Sequence, residues 1–189
     1  ATDILENDFE FSRNFLFEKP NFPVLLHCDG LDTLCDIYIN NKFIAHTDNM
    51  HCSYEFDVTD NLKNGENSIK LVFSSPNKFI REMHKKNYVP GNGDTLFGHA
   101  HLRKASCMMG WDWGPRLPDA GIWKDIYLVT VDSDRIKDVH ITQRHENGKV
   151  FVTPTVKTEK NSAEIAVTVT APNGDKISLP ANTESEIAD

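Results

Sequence analysis

At 189 residues, 39% hydrophobic and 25% charged, the chain has the make-up of a soluble globular protein, with room for one good core plus a partial second unit or for two small domains. Its formal charge of -8 argues against nucleic acid or an anionic membrane as a partner. No apolar run approaches the length of a membrane span, and the first residues lack the basic start and apolar centre of a signal peptide.

Strand patterning runs through most of the chain. Phe9, Phe11, Arg13 and Phe15 alternate with polar partners, and Val24-Leu25-Leu26 leads into an Asp29-Gly30 turn. Cys35, Ile37 and Ile39 form one face, Asn40-Asn41-Lys42 turns, and Phe43-Ile44-Ala45 returns as a hairpin. Ile69, Leu71 and Phe73 repeat the alternation after an Asn64-Gly65 turn. Short strands at regular spacing, divided by turn residues, predict an all-β sandwich. One helix interrupts them. Ser75 suits its N-cap, Pro76 its first position, and Phe79, Ile80 and Met83 make a core-facing stripe at helical spacing. Residues 88–98, with Pro90, Gly91 and Gly93, read as a long loop, and long loops in compact domains are often functional.

Near Asp132-Ser133-Asp134 the register changes. Val139 and Ile141, then Val150, Val152 and Val156, then Ile165, Val167 and Val169 predict three more strands, divided by Asn147-Gly148 and Pro172-Asn173-Gly174 turns.

The four cysteines, Cys28, Cys35, Cys52 and Cys107, allow three disulfide pairings, but none sits in a Cys-x-x-Cys unit. Free thiols are expected, with Cys35 inert on its apolar strand face. His99 and His101 share a face if extended, yet nothing fixes a third ligand at diagnostic spacing, so no metal and no cofactor is expected. No Asn-x-Ser/Thr acceptor occurs, which fits a soluble protein of bacterial cytoplasm or periplasm better than the eukaryotic secretory pathway.

All three tryptophans fall in one short segment, Gly110-Trp111-Asp112-Trp113-Gly114-Pro115 continued by Ile122-Trp123. Two indoles flanking an aspartate between glycines describe a shaped loop with a flat apolar wall and one strong acceptor. A pyranose suits that chemistry, since aromatic rings cover its C–H faces and an ionised carboxylate accepts from its hydroxyls. The bland reading places Trp111 and Trp113 on one side of a strand, in the core, with Asp112 merely solvated. Trp123, between Gly121-Ile122 and the strand Ile126-Tyr127-Leu128-Val129, reads as core packing. For Arg103, just ahead of the loop, a loop-holding ion pair and a solvated edge charge both remain open.

The stretch Leu102-Arg103-Lys104-Ala105, then Gly110 through Pro115, then Gly121-Ile122-Trp123, resembles the N-terminal sugar-binding domain of β-mannosidases of glycoside hydrolase family 2. Gly30-Leu31-Asp32-Thr33, Ile37-Tyr38-Ile39-Asn40, Asn49-Met50 and Phe56-Asp57-Val58-Thr59, with Leu62, Gly65 and Asn67, fall in the same order as in that family. The sequence departs from it at Asn41, where glycine is usual, and at Ser106, where glutamine is common; asparagine tolerates the left-handed conformation of a tight turn.

The resemblance implies a jelly-roll (galactose-binding-like) β-sandwich at residues 1–133, and at 134–189 the opening of an immunoglobulin-like sandwich, fewer residues than the roughly 100 such a sandwich needs. The chain opens abruptly at Ala1, so a natural start, any targeting sequence and the first strands of the jelly roll are possible losses. The parent protein is expected to be a retaining glycoside hydrolase that releases terminal β-mannose from a β-mannoside or related β-glycoside. Its catalytic carboxylates belong to a TIM barrel of the same chain, with the acid/base glutamate after an asparagine. This sequence has no Asn-Glu dipeptide and no barrel pattern, so on its own it is expected to be inactive. By position, Asp112 implies the acceptor for glycone hydroxyls, with Trp111 and Trp113 walling the pocket or bracing the loop. Two other readings stay open: the same domain of an exo-β-glucosaminidase, and a stand-alone carbohydrate-binding module in which the tryptophans form a platform. A purely structural sandwich with core tryptophans is a third.

Overall fold

The computed structural model describes residues 5–160, 164–170 and 174–187, which divide into two compact units at 130/131. In the first unit the strands are, in chain order, β1 (Phe9–Phe17), β2 (Val24–Cys28), β3 (Leu31–Asp32), β4 (Cys35–Ile39), β5 (Lys42–Thr47), β6 (Tyr54–Asp57), β7 (Gly65–Phe73), β8 (Gly121–Ile122) and β9 (Ile126–Thr130). One antiparallel sheet has the order β1-β7-β4-β5, a second the order β6-β2-β9, and β3 pairs with β8 in a short ribbon.

The alternation seen in the sequence sets which faces meet. Val24, Leu26 and Cys28 of β2, Cys35, Ile37 and Ile39 of β4, and Leu71 and Phe73 of β7 are all buried in one cluster. Residues at spacing two point to one side of a strand, so these three sets come from the facing sides of the two sheets. The result is the expected β-sandwich. Cys28 and Cys35 lie inside it, and burial pushes both thiols up to about 12. None of the four cysteines is paired with another.

Register is fixed locally at the β4–β5 hairpin. Asn40 and Asn41 take φ of 49° and 64°, the pair of left-handed residues that a two-residue primed turn requires. The Asn40 amide donates to the Asn61 carbonyl and to Asn67 Oδ1, both at 2.8 Å, and Asn67 is buried with its own amide donating to the carbonyls of Lys63 and Gly65.

Helix α1 (Pro76–Lys86) begins as its sequence predicts, with the Ser75 hydroxyl accepting from the Lys78 N–H at 3.2 Å. Ile80 packs with Leu34, Leu102 and Met109 in a smaller cluster, flanked by Phe79 and Leu96. This cluster is the floor beneath the long loops that follow the helix.

The second unit holds β10 (Ile136–Glu146), β11 (Lys149–Thr158), β12 (Val167–Thr170), β13 (Lys176–Leu179) and β14 (Ser185–Ile187). They pair as β10-β11-β14 and β12-β13, and Asn147-Gly148 makes the β10–β11 turn with φ of 51° and 77°. The strand containing Val167 and Val169 begins after Ile165, and Pro172-Asn173 of the expected turn lies outside the described residues.

Candidate functional site

The segment carrying the tryptophans leaves the sandwich through a short 3-10 turn, Ser106–Met109, and reverses at Gly110, whose φ is 100°. A side chain there would overlap Arg116, so glycine is required for both backbone and space. The Trp111 N–H donates to the Gly114 carbonyl and the Gly114 N–H to the Trp111 carbonyl, each at 3.3 Å. That reciprocal pair closes a tight turn with Asp112 and Trp113 at its tip. The two indoles sit 5.3 Å apart between centroids and tilt by 49°. Trp113 is 81% exposed and Trp111 46%, which rules out the core reading for both. Asp112 is exposed between them and makes no hydrogen bond or ion pair among the described residues.

Two sets of contacts hold this turn. Arg116 donates from Nε to the Asp94 carbonyl at 3.2 Å and from Nη2 to the Gly93 carbonyl at 2.8 Å. The Leu96 N–H donates to the Met109 carbonyl at 2.9 Å. Together they fasten the turn to the loop at 88–98, and Pro90, Gly91, Asn92, Thr95, His99, Ser106, Cys107 and Trp111 enclose an open cleft of about 630 Å³. The loop is itself shaped by local bonds, the Asp94 N–H to Asn92 Oδ1 at 3.1 Å and the Thr95 hydroxyl to the Asn92 carbonyl at 2.9 Å. His99 Nδ1 lies 3.1 Å from the Leu96 carbonyl, which makes Nδ1 the protonated nitrogen and leaves Nε2 an acceptor when the ring is neutral. The cleft thus combines an indole and a proline with hydroxyl, amide and imidazole groups, a lining matched to a polyol with apolar faces.

The second support is charged. Lys104 has a fully buried side chain whose ammonium contacts the buried carboxylate of Asp32 and, at 3.1 Å, that of Asp119. The Thr33 hydroxyl also donates to Asp32. Arg103, the candidate for loop support, is exposed and pairs with no carboxylate among the described residues, which is the solvated edge charge of the two readings left open for it. The reason is parity: Leu102 and Lys104 turn inward along this extended segment and Arg103 turns outward. Its backbone still contributes, since the Met50 N–H donates to the Arg103 carbonyl at 3.0 Å.

Trp123 corrects the expectation of core packing. It is not core but 46% exposed, laid against Gly30 with the Lys124 ammonium 4.3 Å from its ring centroid. Its ring lies over Gly30 of the turn between β2 and β3, at the surface, instead of filling the sandwich.

Sequence reasoning brought together Trp111, Asp112 and Trp113 but missed Arg116, Lys104, Thr95 and His99. For Lys104 a signal was available, a lysine in phase with Leu102 on an apolar face. For Arg116 and the cleft residues of the long loop, contacts arise only on folding. Among the described residues no group of three or more His, Cys, Asp or Glu is placed to hold a metal.

A family model described as glycosyl hydrolase 2 galactose-binding domain-like matches residues 2–124. Beta-mannosidase B of Emericella nidulans is 31% identical over 176 residues, 87% of this chain and 21% of that protein. Beta-mannosidase of Mus musculus is 40% identical over 113 residues, 56% of this chain and 13% of that protein. The crystal structure of beta-D-mannosidase from Dictyoglomus thermophilum superposes with a TM-score of 0.79 at 28% identity, covering 99% of this chain and 24% of that one. The chain therefore spans about a fifth of the length of the curated relative it matches over most of its residues.

Proposed function

Because the chain belongs to the glycosyl hydrolase 2 galactose-binding domain-like family, we propose that it is the non-catalytic sugar-binding portion of a retaining β-mannosidase-like glycoside hydrolase. Its Trp111-Asp112-Trp113 turn is the part it lends to the pocket for the terminal sugar. One observation carries this reading: a carboxylate with no partner among the described residues stands between two tilted, exposed indoles on a turn braced from two sides. Ordered apolar surface and an unspent acceptor are costly for a structural loop and useful for a pyranose, whose C–H faces meet the rings and whose hydroxyls donate to Asp112. Trp111 also walls the 630 Å³ cleft, so the sugar site and the cleft are continuous through one indole.

The chemistry of hydrolysis belongs elsewhere in the parent protein. Retaining cleavage needs two carboxylates about 5–5.5 Å apart, one as nucleophile and one as acid/base, on the catalytic barrel of the same polypeptide. The portion described here binds and orients, needs no cofactor, and is inactive alone. On this reading residues from about 134 onward belong to an immunoglobulin-like sandwich that follows the jelly roll.

A carboxylate-to-hydroxyl hydrogen bond in a desolvated pocket is worth about 1.5–3 kcal/mol. Asp112→Ala in the full-length enzyme should therefore lower kcat/KM for a β-mannoside roughly ten- to hundredfold while leaving the melting temperature in place. Unchanged kinetics would remove Asp112 from the site. The 81% exposure of Trp113 also suits a free-standing binding module. In that case the isolated domain binds β-glycans with measurable affinity, whereas a half-site parted from its barrel does not.

A further inference from the structure

Lys104 and Asp119 stand at the two ends of the segment that carries the tryptophan turn. Lys104 precedes it, and Asp119 ends it just before Gly121–Ile122, the strand that pairs with Leu31–Asp32. Their 3.1 Å contact closes the segment at its base. Asp32, on the partner strand of that ribbon and almost wholly buried, is the fixed post to which the ammonium is tied.

Charge balance alone does not explain this arrangement. Asp32 already neutralises Lys104, and the two are buried together. Asp119 is a second carboxylate with a side chain 73% exposed, on the far end of the loop, brought to the same ammonium. A lone ion pair of that exposure contributes little stability because water screens it. What it does supply is geometry, since a buried ammonium with a fixed first partner specifies where the second must sit. We infer that Lys104 is the positioning residue of the sugar site, setting the Trp111-Asp112-Trp113 turn by drawing both ends of its segment to Asp32. The inference rests on the sugar-binding reading of that turn for its functional consequence, but the clamp itself does not.

The bonds from Arg116 to the carbonyls of Gly93 and Asp94 hold the turn to another loop, not to the sheet. Loss of the clamp should therefore loosen the turn without unfolding it. Asp119→Asn is the informative variant, because it keeps the shape of an exposed residue and removes only its charge.

In the full-length protein, Asp119→Asn should leave the melting temperature near the wild-type value and speed hydrogen exchange at the Trp111 and Gly114 amides about tenfold. KM for a β-mannoside should rise roughly three- to tenfold with a smaller change in kcat, and Asp119→Glu should recover most of both effects. A purely structural ion pair, weak at this exposure, would leave exchange at the turn amides, KM and kcat all at their wild-type values. Unchanged amide exchange overturns the clamp. Faster exchange with normal kinetics overturns the positioning role if Asp112→Ala is impaired under the same conditions. If Asp112→Ala is also normal, the clamp stands and the sugar-site reading is the one that falls.

Discussion

The indole of Trp123 occupies the space a side chain on Gly30 would need, and its backbone N–H donates to the Gly30 carbonyl at 3.2 Å. Gly30→Ala should push the ring off the ribbon edge and cost about 1–3 kcal/mol, read as a drop of several degrees in the melting temperature. Adding Trp123→Ala to Gly30→Ala should recover part of that loss. Strict additivity of the two substitutions would mean the two residues do not press on each other.

Removing the buried ammonium is expected to be the most damaging of these changes. Lys104→Met leaves Asp32 buried without its cation, a loss on the order of 3–5 kcal/mol. Arg103→Ala, one position away and pointing outward, should stay within about 0.5 kcal/mol. Urea denaturation of the two variants side by side checks the assignment, and equal midpoints would show that the inward residue has been misidentified.

These two neighbours also show what a sequence can and cannot disclose. Elements governed by adjacent residues were legible: the Asn40-Asn41 and Asn147-Gly148 turns, the Ser75-Pro76 helix start, and the period-two faces of β2, β4 and β7 all follow from local backbone preference and alternation. The Trp-Asp-Trp turn was legible because its chemistry is concentrated in three consecutive residues. Lys104 was not, since its first partner lies 72 positions away and its meaning depends on which way a short extended segment faces. Arg116 was opaque for the same reason, its partners being backbone carbonyls that carry no sequence signature. Trp123 misled because a tryptophan before an apolar strand usually packs inward, whereas here its ring lies over Gly30 at the surface.

Thiol chemistry gives a check on the sandwich that is independent of the tryptophan turn. Cys28 and Cys35 are buried with their thiols pushed up to about 12, whereas Cys52 and Cys107 are exposed. At pH 8 a thiol reagent should modify two cysteines in the native protein and all four in denaturant. Because folding raises these two thiol pKa values from 9.0, it disfavours their thiolates. Their linkage leaves stability unchanged below about pH 9 and erodes it between there and pH 12. Four fast thiols at pH 8 would contradict the facing of β2 and β4.

Asn67 of β7, which supports the β4–β5 hairpin through Asn40, and the turn residue Asn41 should respond very differently. Asn67→Ala strips hydrogen bonds from the Lys63 N–H and carbonyl, the Gly65 carbonyl and the Asn40 amide, and should cost about 2–3 kcal/mol. Asn41→Gly meets a φ of 64° that glycine adopts freely, so its effect should stay within a few tenths of a kcal/mol. Thermal melts that rank the two the other way would place the network's weight on the turn residue instead.

Arg116 has a consequence for anyone wishing to transplant the tryptophan turn. By hydrogen-bonding the carbonyls at 93 and 94, it makes two segments that are separate in sequence into one mechanical part. The hexapeptide around Asp112 is therefore not a portable motif. Grafted alone, it would lose its guanidinium anchor and seven of the eight residues that line its cleft. Conversely, lengthening the surface loop near residue 92, a change most proteins absorb at a loop tip, would here be transmitted to the aspartate.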